Sequence, residues 1–240
     1  MKDKWRHLRE KLWANTEPSV ELIAMTIPGV FDNEDSAHYF NTSGVHFHPE
    51  HIEPIVAQAA SVSTGIDPKN SAALTRKLLE LKHYTPLEAI QFNFHVSGIS
   101  KACGAQMSRH RIGQGHVSSS RRYQEQGIQF VYPALENINS EETARAIYCA
   151  TSDTYKTAYD QYLSLRHLGV KKSDARYLIP TASAQSRVWW INARALRDFL
   201  ALRLHHSAEF EIRRLAGMVL IIVSKVTPNL FYDIHNISED

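Results

Sequence analysis

The spacing of hydrophobic residues along the chain switches between a helical and a strand period. From Ser71 to Lys82 the apolar residues recur three and four positions apart, which predicts an amphipathic helix. From Ile90 to Val96 apolar and polar residues alternate, which predicts a half-buried strand. The same reasoning predicts a basic amphipathic helix over Met1–Asn15, a strand over Val20–Thr26, and helices over His51–Val62, Ser100–Arg109, Asn192–His206 and Ala208–Val226.

Polar residues that satisfy helix ends predict two further helices. Ser140 can cap a long helix that Glu141 and Glu142 favour at its positive end and that stops before Gly169. Ser173 is expected to cap a short helix that breaks at Pro180.

The order of these elements indicates the fold class. Helices predominate and no βαβ alternation is visible, so the sequence predicts an α+β fold. At 240 residues the chain can bury one core, and we expect a single domain over residues 1–240. Residues 1–50 are expected to form a divergent N-terminal helix and arm, because residues 31–49 are polar and lack periodicity.

Composition excludes several classes of protein. No run approaches the roughly 18 to 20 apolar residues of a membrane span, and the basic amino terminus lacks an apolar signal core. We therefore expect a cytoplasmic protein with no membrane partner. Cys103 and Cys149 provide no disulfide framework, and Cys103 is predicted to be a core residue. The net charge of +2 does not argue for nucleic acid as a partner.

The segment from Arg109 to Tyr123 combines arginines and histidines with two glycines and three serines. Arginine provides paired donors for phosphate, and glycine lets backbone N–H groups approach an oxygen closely. A phosphorylated ligand is one interpretation, and a solvated basic loop is the other.

The order of residues in this segment favours the first interpretation. Arg109-His110-Arg111 followed after a spacer by Ser-x-Arg resembles the signature of the flavin-dependent thymidylate synthases, the ThyX family. Further segments resemble that family in the same order. They are His83–Glu88, Phe92–Ser100, Ala175–Pro180, and the run Asn192–Leu196 with Phe199, Leu200, Arg203, Glu211 and Ile212.

This resemblance implies a ThyX-type fold, with helices packed on a small, mostly antiparallel sheet and no Rossmann domain. It also implies methylation of uracil C5 in dUMP, with FAD as cofactor and with NADPH and methylenetetrahydrofolate as co-substrates. Gly113-Gln114-Gly115 is not a dinucleotide fingerprint. The resemblance implies that FAD is instead held by side chains and loop backbone at a junction between subunits. A homotetramer with shared active sites is expected.

The resemblance also implies roles for individual residues. Arg203 is the expected catalytic residue, because a guanidinium can stabilise the negative charge that develops on uracil. The expected substrate-binding residues are Gln106, Arg109, Ser119, Ser120, Arg121, Arg122, Arg176 and Arg203. The expected FAD-binding residues are Ser63, Thr85, Glu88, Arg109, His110, Arg111, Asn192, Arg194 and Asp198. No metal ligand is expected.

Helix geometry constrains two of these arginines. At 100° per residue, Arg194 and Arg203 lie about 180° apart on one helix. They would therefore serve different sites or opposite ends of an extended ligand. The alternative is that Arg194 pairs with Asp198 and that Arg203 is a surface residue.

The chain departs from the family pattern in the basic segment. The serine and arginine of the loop are either Ser119 and Arg121 or Ser120 and Arg122, and His116-Val117 replaces the usual acidic residue. Asp198 replaces a usual asparagine. These departures leave open a C5-methylase acting on UMP, for instance in nucleoside-antibiotic synthesis.

Two hypotheses of other classes remain open. His46, His48 and His51 could form a metal site, since imidazole suits zinc. Alternatively, arginines could form a phosphate-contacting patch for nucleic acid. That patch would comprise Arg109, Arg111, Arg121, Arg122, Arg213 and Arg214.

Overall fold

A computed structural model describes residues 3–25, 52–65, 70–120 and 127–234 of the chain. The predicted arm over residues 31–49 lies outside these ranges, and so do Arg121, Arg122 and the three histidines of the hypothetical metal site. The side chain of Ser63 also lies outside the description.

The described residues combine helices with one sheet. The strands are β1 (Ser19–Met25), β2 (Gln91–Ser100), β3 (Gln114–Ser118) and β4 (Ala184–Asn192). The α-helices are α1 (Arg6–Arg9), α2 (Pro54–Thr64), α3 (Ser71–Glu80), α4 (Lys101–Met107), α5 (Glu141–His167), α6 (Lys172–Ala175), α7 (Ala193–Arg203) and α8 (Phe210–Val226). Two 3₁₀ helices cover Thr85–Ala89 and Arg176–Leu178.

The four strands form an antiparallel sheet in the order β1-β2-β4-β3. Phe94 of β2 lies opposite Trp189 of β4, and both are fully buried. Because side chains alternate across a strand, Phe92 and Ile191 share their face of the sheet. This face meets the helices that carry the candidate site.

Two hydrophobic clusters hold the fold together. The larger cluster packs the inner face of the sheet against α4, α7 and α8, with Phe199 of α7 lying 5.1 Å from the Trp189 ring between centroids. The smaller cluster joins the amino terminus to α5 through Phe130 and Tyr148. Burial of apolar side chains thus fixes α7 on the sheet and sets the direction of its polar residues.

The α+β prediction is confirmed, and no Rossmann unit occurs in the described ranges. The predicted strands β1 and β2 and the predicted helices from 52 onwards are found with shifts of a few residues at their ends. Ser140 caps α5 as predicted, because its hydroxyl accepts from the backbone N–H of Thr143.

Three predictions of local structure are wrong. Only Arg6–Arg9 is helical at the amino terminus, because Trp5 and Leu8 bury against α5 and the chain then turns into a bridge with Phe130. Ser173 lies inside α6 and its hydroxyl bonds Asp174, so it is not the cap.

The third error concerns the segment that follows Gly113, which was expected to be a loop. Gly113 lies in a turn, but Gln114–Ser118 forms strand β3, because pairing with β4 satisfies its backbone groups despite Gly115. Strand β4 was not predicted at all.

The structure also describes both cysteines and the length of the apolar helices. Cys103 is buried, as predicted. Cys149 is exposed, and both cysteines are free thiols. Within the described ranges, no helix is long and apolar enough to cross a membrane.

Candidate functional site

The Arg-His-Arg triplet occupies the turn between α4 and β3. The backbone N–H groups of Arg109 and His110 bond the carbonyl oxygens of Gln106 and Met107, which extends the end of α4 by a turn. Gly113 then adopts a positive φ of 69°. This angle favours glycine and redirects the chain into β3.

Asn192 brings the start of α7 against this turn. Its backbone N–H donates to the Gly113 carbonyl oxygen at 2.8 Å, and its side-chain oxygen accepts from the Ala195 N–H at 2.9 Å. A Cβ on Gly113 would lie 2.6 Å from the Asn192 side-chain nitrogen, so only glycine fits here. The helix cap and the triplet are therefore held in contact.

A cavity of about 340 Å³ opens where these two segments meet. Six residues predicted from the resemblance to bind FAD line it: Glu88, His110, Arg111, Asn192, Arg194 and Asp198. Ile112, Gly113 and Ala195 complete the lining and were not predicted. Their signal in the sequence is position alone, because Ile112 and Ala195 directly follow predicted residues and Gly113 lies two positions after Arg111.

Arg194 crosses the mouth of this cavity to Glu88. The guanidinium Nη1 lies 2.7 Å from the carboxylate, and the two side chains are 47% and 46% exposed. An ion pair this exposed contributes on the order of 0.2–1 kcal/mol, so an anionic ligand can displace the carboxylate. The alternative pairing of Arg194 with Asp198 is not observed.

Arg203, at the other end of α7, contacts the side chain of His110. Its Nε donates to His110 Nε2 at 3.1 Å, and its Nη2 donates to the Gln106 carbonyl oxygen at 3.4 Å. It does not line the cavity beside Arg194. The two arginines thus point in different directions, as the helix geometry predicted, and Arg203 is not a free surface residue.

Burial and charge determine the protonation of this pair. Burial, with help from the Arg203 charge, lowers the pKa of His110 below its ordinary value. The imidazole is therefore neutral at neutral pH and accepts through Nε2, which places its proton on Nδ1. Burial and the charge of Arg109 lower the pKa of Arg203, but a guanidinium keeps its proton in proteins.

A second cavity of about 360 Å³ adjoins the first along α7. It shares Arg194 and Asp198 with the first cavity and is otherwise bounded by apolar side chains and by the Arg197–Asp233 ion pair. The polar and apolar halves of an extended ligand could therefore lie on either side of Arg194.

The predicted nucleotide-binding residues are only partly brought together. Gln106, Arg109 and Arg203 lie within one cluster. Arg176 lies in the 3₁₀ helix beside α5, and its Nε donates to the carbonyl oxygen of Ser173 in α6. No described hydrogen bond or cavity joins Arg176 to Arg203. Thr85 lies in the 3₁₀ helix that also carries Glu88.

Ser119 continues the pairing of β3 with β4. Its N–H donates to the Ser186 carbonyl oxygen at 2.8 Å, and its hydroxyl accepts from the Ser186 N–H at 3.1 Å. Both groups of Ser119 thus contribute to the sheet, and Ser120 is the next residue beyond it.

Two described arginines of the hypothetical nucleic-acid patch have acidic partners. Arg214 pairs with Glu17 at 2.5 Å, and Arg213 pairs with Glu136, so these two charges are compensated near the amino terminus. The described residues contain no group of three potential metal ligands.

The described ranges contain an antiparallel sheet, a cavity lined by arginine, histidine and amide donors, and no βαβ unit. Together these features define the class of the protein. It is an α+β protein whose cavity suits an anionic ligand held by side chains. Residues 46–229 match the family described as "Thymidylate synthase complementing protein", and the chain belongs to that family.

Curated relatives agree over most of the chain. A flavin-dependent thymidylate synthase of Geobacter sulfurreducens is 32% identical over 77% of this chain and 82% of its own. A protein of the same name from Nitratidesulfovibrio vulgaris is 29% identical over 90% of this chain and 86% of its own. Another from Thermosipho melanesiensis is 32% identical over 74% of this chain and 82% of its own. The resemblance stated from the sequence, and the prediction of an enzyme of this family, are confirmed.

Proposed function

We propose that this enzyme methylates C5 of uracil in dUMP or UMP, using FAD, NADPH and methylenetetrahydrofolate. The observation that supports it best is the cavity between the Arg-His-Arg turn and the start of α7, which gathers six of the residues expected to bind FAD. The relatives' shared name supports the same reaction.

The residues around the cavity fit the chemistry of FAD. Arg111 and Arg194 offer paired N–H donors to the pyrophosphate, and the amide of Asn192 lies at the same wall. Each cavity is at the small end of the range for ligand sites, so a dinucleotide would extend beyond either one. Bound FAD, once reduced by NADPH, would supply the hydride that converts the transferred methylene group to a methyl group.

Under this proposal, Arg203 acts on the pyrimidine. Two of its five N–H groups are committed to His110 and Gln106, which hold the guanidinium plane in position. The remaining donors can face the uracil N3 and O4 side, where negative charge develops as C5 becomes nucleophilic. Gln106, Arg109, Arg176 and either Ser119 with Arg121 or Ser120 with Arg122 would hold the nucleotide.

The assembly of the enzyme bears on the same proposal. No described hydrogen bond or cavity joins Arg176 to Arg203, so we infer that a site using both would draw Arg176 from a second subunit. We therefore expect a homotetramer, which light scattering of the active enzyme can refute by showing a monomer. A cytoplasmic location and a single domain over residues 1–240 also stay predictions.

A tritium-release assay tests the reaction and its substrate together. The purified enzyme, with FAD, NADPH and methylenetetrahydrofolate, is given dUMP or UMP labelled with tritium at C5. Release of tritium with formation of the methylated nucleotide is expected for at least one substrate. No release from either, with flavin bound, would contradict the proposal.

A further inference from the structure

Arg187 is a buried cation without a hydrogen-bond partner on two of its nitrogens. It lies in β4 on the inner face of the sheet and is 4% exposed. Within the described ranges, its Nε and Nη1 have no partner. Burying a charge without compensating hydrogen bonds is costly, so this arrangement calls for an explanation.

Two polar side chains of β3 share the face on which Arg187 lies. Ser118 is directly opposite Arg187 across the strands, which places their Cβ atoms about 4.5–5.5 Å apart. The Ser118 hydroxyl is also buried without a described partner. His116, two positions earlier, presents its ring on the same face, with Nε2 at 3.3 Å from the Ser108 hydroxyl.

Helix α4 leaves room for the guanidinium by means of Gly104. A Cβ at this position would overlap both the Arg187 guanidinium and the Gln185 amide. The neighbouring acid on this helix is the Cys103 thiol, and burial raises its pKa well above the ordinary value. Cys103 therefore stays neutral and does not compensate the charge of Arg187.

The unpaired nitrogens of Arg187 and the hydroxyl of Ser118 would all be satisfied by one negatively charged hydrogen-bond acceptor. We propose that Arg187, Ser118 and His116 form a binding site for a phosphate-class oxyanion at the β3 edge of the sheet. A phosphate offers several acceptor oxygens, and a guanidinium with a hydroxyl donor is suited to bind them. No feature of the described residues supplies that charge instead.

The site lies near the border of the sheet. Strand β3 pairs only with β4 among the described strands, so it forms a sheet edge. Ser118 and His116 on this strand are half-buried, and they lie between the edge and the buried Arg187 of β4. Ser119 and Ser120, both expected to bind the nucleotide, follow directly in sequence.

The oxyanion has two possible sources. One is free inorganic phosphate, which requires nothing beyond the site itself. The other is the 5′-phosphate of the pyrimidine nucleotide, and this source rests on the proposed function.

Calorimetric titration with inorganic phosphate tests the site itself. The wild-type protein is compared with Arg187→Met, Ser118→Ala and the control Arg145→Met, which removes an arginine 63% exposed on α5. We expect phosphate affinity to fall on the order of tenfold or more in Arg187→Met and less in Ser118→Ala. The control should bind as the wild type does.

Folding of the variant is checked separately. Without phosphate, Arg187→Met should melt at the same temperature as the wild type or higher, because an uncompensated buried charge has been removed. If Arg187→Met does not fold, Arg187→Lys provides the same comparison, since it keeps the charge but lacks the paired donors and should bind phosphate more weakly.

Titrations with dUMP and deoxyuridine distinguish the two sources. Competition between phosphate and dUMP, with weaker dUMP binding but unchanged deoxyuridine binding in Arg187→Met, would assign the site to the nucleotide phosphate. Phosphate binding that depends on Arg187 but does not compete with dUMP would assign it to a free anion. Either result supports the site.

Two results would overturn it. One is a wild-type protein that binds neither phosphate nor dUMP, and the other is equal binding by wild type and Arg187→Met. Failure of the proposed function would instead appear as a protein without flavin binding or methylation, and phosphate titration does not depend on either.

Discussion

Replacing Arg203 by lysine separates the charge of this residue from its geometry. Lysine keeps the positive charge but lacks the Nε donor and the planar fork that bond His110 and Gln106. The ammonium would therefore no longer be held in one plane facing the pyrimidine. Under the proposed function, the charge that develops on uracil would lose a positioned donor.

The size of the effect follows from that loss. Removing one donor to a developing negative charge typically costs about 100- to 1000-fold in kcat, or about 2.7–4 kcal/mol. Because Arg203 does not line the cavity beside Arg194, FAD affinity should change little, by about twofold or less. Arg203→Lys should therefore give a flavin-containing protein with turnover about 100-fold lower or worse.

Two measurements on the same preparation check this expectation. Steady-state formation of the methylated nucleotide gives kcat, and quenching of flavin fluorescence gives FAD affinity. Arg145→Lys is the matched control, because Arg145 is exposed on α5 and pairs with Glu141 one turn away. Near wild-type turnover in Arg203→Lys, or loss of flavin as complete as loss of nucleotide, would refute the assignment.

Three further predictions concern flavin binding and folding. Arg194→Ala should weaken FAD binding more than dUMP binding in parallel titrations, because Arg194 lies at the cavity mouth, and an unchanged flavin titration would count against the site. Gly98→Ala should lower the urea midpoint more than Gly65→Ala: both have positive φ, at about 1–3 kcal/mol each, but only at Gly98 would a Cβ overlap the Glu17 carbonyl oxygen. Burial raises the pKa of Glu211 despite hydrogen bonds from Ser100, so the contribution of this carboxyl group to stability should be fully present below its ordinary pKa of 4.5 and fall as pH rises through the folded-state pKa. Glu211→Gln should flatten that fall in denaturant midpoints measured against pH, and an unchanged pH profile would contradict the interpretation.

Much of the fold could be predicted because its elements depend on local pattern. The apolar spacing of α3 and the alternation of β2 have one interpretation each, and the cap at Ser140 is a local hydrogen bond. The helix geometry of α7 likewise predicted the opposed directions of Arg194 and Arg203.

The elements that were missed depend on distant partners. Strand β3 contains Gly115, follows the turn at Gly113, and is stabilised by pairing with β4, about 70 residues later, so its own sequence favours a loop. At the amino terminus, contacts with α5 and Phe130 end the helix earlier than its periodicity indicates.

In the candidate site, too, some residues could be predicted from the sequence and others depend on distant segments. The resemblance supplied Glu88, Arg111, Asn192 and Arg194, which the fold then brings to one cavity. It gave no indication of Arg187, because the lack of a partner for this residue becomes visible only when β3, β4 and α4 are placed together. Such a site depends on three segments that are far apart in the sequence.

The most direct measurement of the central proposal is a single turnover without oxygen. The enzyme is loaded with FAD, reduced with NADPH, and freed of excess reductant, and flavin absorbance is followed after methylenetetrahydrofolate and dUMP or UMP are added together. We predict that the flavin is reoxidised only when both are present, with one methylated nucleotide formed for each flavin. Flavin that stays reduced with both substrates, or reoxidation without a methylated product, would contradict the account.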